Sequence, residues 1–302
     1  MIFSEAAEQW FEYKQPFVRA ATLRNYSTLK GILIKYFKDC DTEKIKRSDI
    51  QTYINLCGES YTRQTVISRL KILRQIFEHL EELNEDFISP VSKIKIPRCK
   101  NSKELIISTV SDINKLMKVK CPQYKKDLIQ IAFRTGMRIG EILTLKWSDI
   151  NFEENYLIVN RTLSVYNNGH VIINAPKTPR SHRAIDLDSV TISILKRIMS
   201  ENGTSNDFIF TKKNGEIYSR QCVRLYELCD KAGIPRRNFH SLRHTHISYC
   251  LSHKIDITTV QSRAGHTDAT TTLHYAHVLP GTQLAAAKLM GQIPYSFDVD
   301  AA

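Results

Sequence analysis

Five short stretches in the second half of the chain carry side chains suited to gripping or attacking a phosphodiester. In chain order they are Thr135–Glu141, Pro176–Thr178, His240–His244, Gly265–His266 and Leu273–Tyr275. Each residue type is common by itself. The ordered set is rare, because an Arg, a Lys, a His-x-x-Arg and a His are followed by a Tyr nine positions further on. This order predicts an enzyme that cuts DNA by bonding the phosphate covalently to its own tyrosine.

Arg138 and Arg243 are the candidates for binding the phosphate oxygens. A phosphodiester is anionic and its alkoxide leaves poorly, so a metal-free enzyme needs fixed cations, a nucleophile and a proton donor. A guanidinium stays charged and can donate two parallel hydrogen bonds to one phosphate. The two arginines lie on different predicted helices, so together they could hold both non-bridging oxygens. Either one alone would be typical of an ordinary surface residue.

Two histidines and a lysine can supply the remaining polar groups. His240 shares a helix face with Arg243, three residues later, and a neutral histidine can accept the proton of a tyrosine hydroxyl. Lys177 lies in a turn between two prolines, from which it can protonate the departing 5′ oxygen. His266 follows Gly265, where the missing side chain allows close approach to a ligand. A solvated turn lysine and ordinary histidines are the alternative interpretation.

Glu141 and Tyr275 complete the set. Glu141 lies one helical turn after Arg138, so we expect it to orient that arginine or a neighbour rather than act on DNA. Tyr275 is the predicted nucleophile. By itself it would be read as a core aromatic, and its place at the end of the series is what favours catalysis.

Composition points to a basic protein with a polyanionic partner. The formal net charge is +12 and the pI near 9.3, and neutralising phosphates releases condensed counterions. No run of 18 apolar residues and no signal-like start are present, so we expect no membrane span and a cytoplasmic location. The seven cysteines are widely spaced without C-x-x-C, as in reduced thiols.

The first part of the chain is predicted to form a helical bundle. Apolar residues recur at helical spacing over Glu5–Phe17, Thr22–Phe37, Asp49–Leu56 and Thr62–Leu83. Residues 89–100 contain two prolines and alternating cations, which predicts an extended linker that offers little to a core. Cations in and just after this stretch could follow DNA phosphates along a groove, or could simply be solvated: Lys93, Lys95, Arg98, Lys100 and Lys103.

The second part is predicted to combine helices with a small antiparallel β-sheet. Its helices are expected over Val110–Val119, Gln123–Thr135 and Ile139–Trp147, followed by further helices after the β region. Strand-like segments are Tyr156–Val159, Thr162–Tyr166, Val171–Ile173 and Arg183–Leu187, with a hairpin signal at Asn168-Gly169. The fold class is therefore mainly α with a small antiparallel sheet.

These residues resemble the tyrosine recombinases, also called the phage integrase family, from about residue 105 to 280. The match covers T-G-x-R-x-x-E at Arg138, the turn lysine Lys177, H-x-L-R-H at His240–His244, G-H at His266, and Tyr275. The N-terminal helices resemble that family's SAM-like core-binding domain through their helical content and the segment Thr22–Tyr26. The expected domains are 1–97, a linker 98–104, and a catalytic domain 105–302 that includes a C-terminal tail.

The resemblance implies a mechanism. Tyr275 attacks the scissile phosphate, giving a 3′-phosphotyrosyl link and a free 5′ hydroxyl. Arg138, Arg243 and His266 stabilise the transition state. Lys177 is the general acid, and His240 assists proton transfer. The covalent intermediate keeps the bond energy, so no ATP, metal or other cofactor is expected.

The resemblance also implies an assembly. Four protomers would act on two double-stranded DNA sites through a Holliday junction, in a bacterial or phage-encoded, nucleoid-associated system with a possible DNA-bending or directionality factor. The tail residues 284–290 could form a helix that docks on a neighbouring protomer, which we favour, or on their own domain. The chain would be a two-domain member or an integrase that lacks an arm-binding domain.

Other functions remain open from the sequence. A mobile-element integrase is favoured over a chromosome-dimer or plasmid resolvase and over a topoisomerase of type IB. A non-catalytic DNA-binding protein would be expected to have lost some of the six catalytic positions. A zinc hydrolase is a further alternative, since His240 and His244 have i, i+4 spacing, but Ser241 stands where H-E-x-x-H needs Glu.

Overall fold

A computed structural model describes residues 1–101, 107–165, 171–174, 182–266 and Thr272. The chain forms two compact units. The described residues up to 101 belong to the first, and those from 107 to 164 and from 171 onward belong to the second. In the part of the chain described here, no helix is both long enough and apolar enough to cross a membrane.

Over residues 1–101 the first unit is a bundle of four α-helices, as the apolar spacing predicts. They are α1 (Phe3–Lys14), α2 (Ala20–Phe37), α3 (Arg47–Ser60) and α4 (Arg63–Leu83), with a 3₁₀ turn at Gln15–Phe17 after α1. The helix α3 begins where the Asp49 carboxylate accepts a hydrogen bond from the Lys46 amide at 2.9 Å. Large aromatic and aliphatic side chains from all four helices fill the core, among them Trp10, Phe37, Ile50 and Phe77.

The stretch after α4 packs on this bundle. Val91 is buried in the core, and Ile94, Ile96 and Cys99 pack against it. The Gln51 amide exchanges two hydrogen bonds with the Lys95 backbone, at 2.8 and 3.0 Å. The prediction that residues 89–100 offer little to a core was therefore wrong, because its apolar residues alternate with cations and face inward.

The second unit contains seven α-helices within the described ranges. These are α5 (Val110–Lys118), α6 (Gln123–Thr135), α7 (Ile139–Ile142), α8 (Ser189–Asn202), α9 (Leu225–Ala232), α10 (His240–Ser252) and α11 (Ile257–Ala264). Helix α10 packs against both α6 and α11. Leu128 and Ile131 of α6 and Leu242 and Ile247 of α10 are buried, so the candidate site is built on a rigid helical core.

Among the residues that the structure describes, five short strands form two small sheets. The strands β1 (Ile150–Asn151), β2 (Tyr156–Val159) and β5 (Arg183–Asp186) make an antiparallel sheet in the order β1-β2-β5, with Leu157 opposite Ile185. The strands β3 (Thr162–Val165) and β4 (Val171–Asn174) form a second, two-stranded sheet. The predicted fold class, mainly α with small antiparallel sheets, is confirmed.

The helix predicted over Ile139–Trp147 is shorter than expected. Helix α7 ends at Ile142, and a 3₁₀ turn follows at Trp147–Asp149. The Thr144 hydroxyl donates to the Gly140 carbonyl at 2.9 Å, and the Leu145 carbonyl accepts from the Ile209 amide at 2.9 Å. Pairing with a distant segment therefore replaces the continued helix, which local spacing could not indicate.

Candidate active site

Glu141 is a buried carboxylate that holds Arg138. Its Oε2 accepts a hydrogen bond from the Arg138 amide and its Oε1 one from Arg138 Nη1, both at 2.9 Å. Burial acts to raise the pKa of Glu141, but the guanidinium groups of Arg183 and Arg138 lower it below its ordinary value. The carboxylate therefore stays charged. It orients Arg138 at the start of α7, the arrangement expected from their spacing.

Arg183 is a second cation on the same carboxylate, and sequence reasoning missed it. Its Nη2 lies 2.9 Å from Glu141 Oε2, and its Nε donates to the Arg263 carbonyl at 2.8 Å. A Cβ at Gly265 would lie 2.9 Å from Arg183 Nη1, so the guanidinium packs directly against the backbone of that glycine. Arg183 thus connects strand β5, the Glu141 carboxylate that binds Arg138, and the turn that carries His266. An Arg at an inward-facing strand position, alternating with exposed residues, was the available signal.

Arg243 joins the ends of two helices. It is 1% exposed, and its guanidinium donates to the Gly136 carbonyl at 2.8 Å and the Ala264 carbonyl at 2.5 Å. Gly136 ends α6 with a positive φ of 69°, and a Cβ there would lie 2.5 Å from the His246 ring. This turn therefore requires glycine. The Arg243 guanidinium is therefore fixed between Gly136, two residues before Arg138, and Ala264, two residues before His266.

His266 and His240 share this electrostatic environment. Burial, then Arg243 and Arg138, lower the pKa of His266 to about 3, and its Nδ1 lies 2.8 Å from the hydroxyl of buried Thr272. Partial burial, then His244 and Arg243, lower the pKa of His240 to about 4, with Arg138 adding to the effect. Both imidazoles are therefore neutral near pH 7.

A pocket brings Arg138 and His240 to one surface. It is lined by residues before and at the start of α7, in β3, in the segment before α9 and around the start of α10: Met137, Arg138, Ile139, Gly140, Thr162, Arg220, Phe239 and His240. The side chain of Arg138 keeps 39% of its exposure, so it is accessible to a ligand. The pocket offers an anion the guanidinium groups of Arg138 and Arg220 and the neutral imidazole of His240.

Two of the six predicted catalytic residues, Lys177 and Tyr275, lie outside the described residues. The exposed cations Lys93, Lys95, Arg98 and Lys100 belong to the first unit. Sequence reasoning also left Thr272 and Arg220 out of the site, and neither stands in a motif that would have singled it out.

The histidines of α10 do not form a ligand set for zinc. His246 turns its Nδ1 to the Phe133 carbonyl at 2.8 Å, and its Nε2 accepts from Arg263 Nε at 3.3 Å. Across the ranges given above, no three His, Cys, Asp or Glu side chains are grouped closely enough to hold a metal ion.

Two family matches cover most of the chain. Residues 105–281 match the phage integrase family, and residues 2–56 match the N-terminal SAM-like domain of phage integrases.

Similar proteins include integrases and XerC-type recombinases. A XerC-like tyrosine recombinase of Caldanaerobacter subterraneus is 28% identical, over 82% of this chain and 71% of that protein. The integrase of Staphylococcus phage L54a is 26% identical, over 92% and 89%. The ICEBs1 integrase of Bacillus subtilis is 25% identical, over 85% and 75%.

Solved structures share the fold. The Tn1549 transposon integrase, in complex with a circular intermediate DNA, superposes with a TM-score of 0.82 at 19% identity, covering 97% of this chain and 100% of that one. A lambda integrase dimer bound to a core site gives 0.71 at 16% identity, covering 99% and 100%. The chain therefore belongs to the phage integrase family, that of the tyrosine recombinases, which are enzymes that cut and rejoin DNA.

Proposed function

We propose that this protein is a site-specific DNA recombinase of the integrase type that works through a 3′-phosphotyrosyl intermediate. The observation that carries the proposal is the grouping of Arg138, Arg243, His240 and His266. The two guanidinium groups lower the pKa of both imidazoles, and Arg138 and His240 line one pocket. These residues lie at the start of α7, at the start of α10 and just after the end of α11, and Arg183 of strand β5 holds the carboxylate that binds Arg138. This arrangement is expected of a built site rather than of chance surface charge.

In the proposed reaction Arg138 and Arg243 bind the two non-bridging oxygens of the scissile phosphate. The Tyr275 oxygen bonds to phosphorus as the bond to the 5′ oxygen breaks. The tyrosine proton passes to neutral His240, and Lys177 protonates the leaving oxygen. His266, held by Thr272, donates a hydrogen bond to the phosphate. The number of phosphoester bonds does not change, so the 5′ hydroxyl of a second strand can reverse the step without ATP.

Double-stranded DNA is the proposed substrate. The net charge of +12 supports this, as do the Tn1549 and lambda integrases, which were solved bound to DNA. Lys93, Lys95, Arg98 and Lys100 are exposed, and Gln51 holds the backbone of Lys95; we propose that these four cations contact DNA phosphates. A homo-tetramer on two DNA sites is the proposed active assembly. It would exchange the DNA strands through a Holliday junction.

Integration of a mobile element is the biological role we favour. Relatives include a phage integrase and the ICEBs1 integrase, while XerC-type recombinases at 25% identity support resolution of chromosome or plasmid dimers as the second candidate. The DNA that flanks the gene in its source genome supplies candidate sites.

The test is recombination between those sites in two arrangements. An integrase joins two different sites, one on a circle and one on a linear fragment. A resolvase instead acts on two identical sites in direct repeat. Product only from the identical pair would replace the integrase role by the resolvase role. Product from neither pair, at protein concentrations that saturate both DNAs, would contradict both roles.

A further inference from the structure

Arg220 is a cation of the active-site pocket that has no acidic partner among the residues described here. Arg243 and Arg263 of the second unit bind backbone carbonyls. Eight further arginines of this unit contact carboxylates: Arg134, Arg138, Arg161, Arg183, Arg197, Arg224, Arg236 and Arg237. The hydrogen-bond partner of Arg220 is instead the backbone carbonyl of Leu163, to which Nη2 donates. Partial burial of the guanidinium lowers the pKa of Arg220, with no opposing effect from an acid. Within the described ranges its charge therefore has no acidic counterion.

The guanidinium of Arg220 lies close to the backbone of helix α7 at Gly140. A Cβ at Gly140, two residues after Arg138, would be 3.0 Å from Arg220 Nη2 and 2.8 Å from Thr162 Oγ1. Gly140 therefore allows the guanidinium to approach the backbone of α7. Arg220 lines one pocket together with Arg138 and His240, so the three side chains are open to the same ligand.

The arrangement fits an anion with several oxygens. A guanidinium carries five N–H donors in a planar fork, and the Leu163 carbonyl uses only part of this capacity. Its attachment to β3 fixes the fork before any ligand arrives, which reduces the entropy lost on binding. Phosphate is the anion that matches both the fork and the neighbouring Arg138.

We propose that Arg220 binds a phosphate of the DNA backbone at the cleavage site, as a further DNA-contacting residue beside Arg138 and His240. This rests on the proposed function, since it takes DNA as the ligand of the pocket. The side chain of Arg220 is open to solvent although its guanidinium is partly buried. A phosphate of the DNA backbone can therefore reach it without rearrangement of the core.

Salt dependence of DNA binding tests this assignment. Binding to a site duplex is measured from about 50 to 200 mM salt, the range over which phosphate contacts change affinity strongly. In the Tyr275→Phe background no cleavage disturbs the equilibrium. Arg220→Gln is expected to weaken binding about tenfold at the lowest salt, the equivalent of one charged hydrogen bond. It should also reduce the slope of log K against log salt by about 0.9.

Two matched variants separate charge from structure. Arg220→Lys keeps the charge and should keep the slope. Arg236→Gln removes a cation that is exposed and already paired with Asp230, so its affinity and slope should equal those of the parent. Thermal unfolding of each variant reports whether the fold is intact.

An unchanged slope in Arg220→Gln, with normal DNA binding by the parent, would overturn the assignment and leave the proposed function standing. Equal losses in Arg220→Gln and Arg220→Lys, with a lowered Tm in both, would also overturn it, because Arg220 would then be an anchor for β3. If the parent protein itself shows no salt-dependent DNA binding, the proposed function fails together with this inference.

Discussion

Arg183 Nη2 lies 2.9 Å from Glu141 Oε2, and both side chains are almost fully buried, at 4% and 5% exposure. The pair joins strand β5 to the start of α7. The same carboxylate also binds Arg138, so the position of a candidate phosphate-binding group depends on Arg183, which lies 42 positions after Glu141 in the chain.

Glu141→Gln should destabilise the protein strongly. Removing one partner of a buried ion pair leaves the other charge uncompensated, and the expected loss is about 3 to 5 kcal/mol in the free energy of unfolding. Chemical denaturation measures it. The double variant Glu141→Leu with Arg183→Met removes both charges and should recover a large part of the loss. Arg236→Gln breaks an exposed, solvent-screened pair and should leave the midpoint of denaturation nearly unchanged. Equal effects of Glu141→Gln and Arg236→Gln would contradict a structural role for the buried pair.

Arg138→Lys should lose most of its cleavage activity while it still binds DNA. An ammonium keeps the charge but cannot donate two parallel hydrogen bonds to the phosphate or reproduce the contact of Nη1 with Glu141. Single-turnover cleavage of a site duplex measures the effect, and we expect a fall of at least about a hundredfold, as for the loss of one transition-state donor. A rate near that of the wild type would exclude Arg138 from the phosphate clamp.

Gly265→Ala should impair cleavage more than Gly233→Ala does. Both glycines end helices with a φ of 65°, so either alanine incurs backbone strain, about 1 to 2 kcal/mol. A Cβ at Gly233 meets nothing within 4 Å, whereas one at Gly265 would lie 2.9 Å from Arg183 Nη1. The added methyl group therefore displaces a guanidinium fixed by Glu141. Equal cleavage rates in the two variants would show that this contact does not position the site.

Stability should fall as the pH is lowered from about 6.5 towards 4, and His246 should account for part of the fall. Burial and Arg263 lower the pKa of His246 to about 4. The unfolded chain binds this proton near pH 6.5, so acid favours unfolding between the two values. His246→Phe removes the proton, and its stability curve should be flatter by up to about 1.4 kcal/mol per pH unit in this range. Urea denaturation at several pH values gives both curves. Parallel curves would mean that His246 is not held neutral.

Local contacts explain what could be predicted from the sequence. Glu141 follows Arg138 by three residues and His240 precedes Arg243 by three, and helical geometry alone places such pairs together. The helix Gln123–Thr135 has the predicted bounds because its apolar face is regular and Gly136 ends it. The family resemblance supplied the rest of the expected site.

Long-range contacts explain what could not be predicted. Arg183 contacts Glu141 across 42 positions, and Arg220 contacts Leu163 across 57. No local pattern marks either residue as part of the site. Val91 lies in a stretch that reads as a linker, and only the tertiary structure shows it buried.

Covalent attachment to DNA tests the central claim most directly. A candidate site duplex with a nick next to the scissile position traps the intermediate, since the short 5′ fragment diffuses away, and denaturing electrophoresis detects the adduct. The wild-type protein should form a denaturation-resistant adduct. Tyr275→Phe should form none while its affinity for the duplex stays within about twofold, because only a hydroxyl is removed. An adduct of normal yield in Tyr275→Phe would show that Tyr275 is not the nucleophile and would contradict the proposed mechanism.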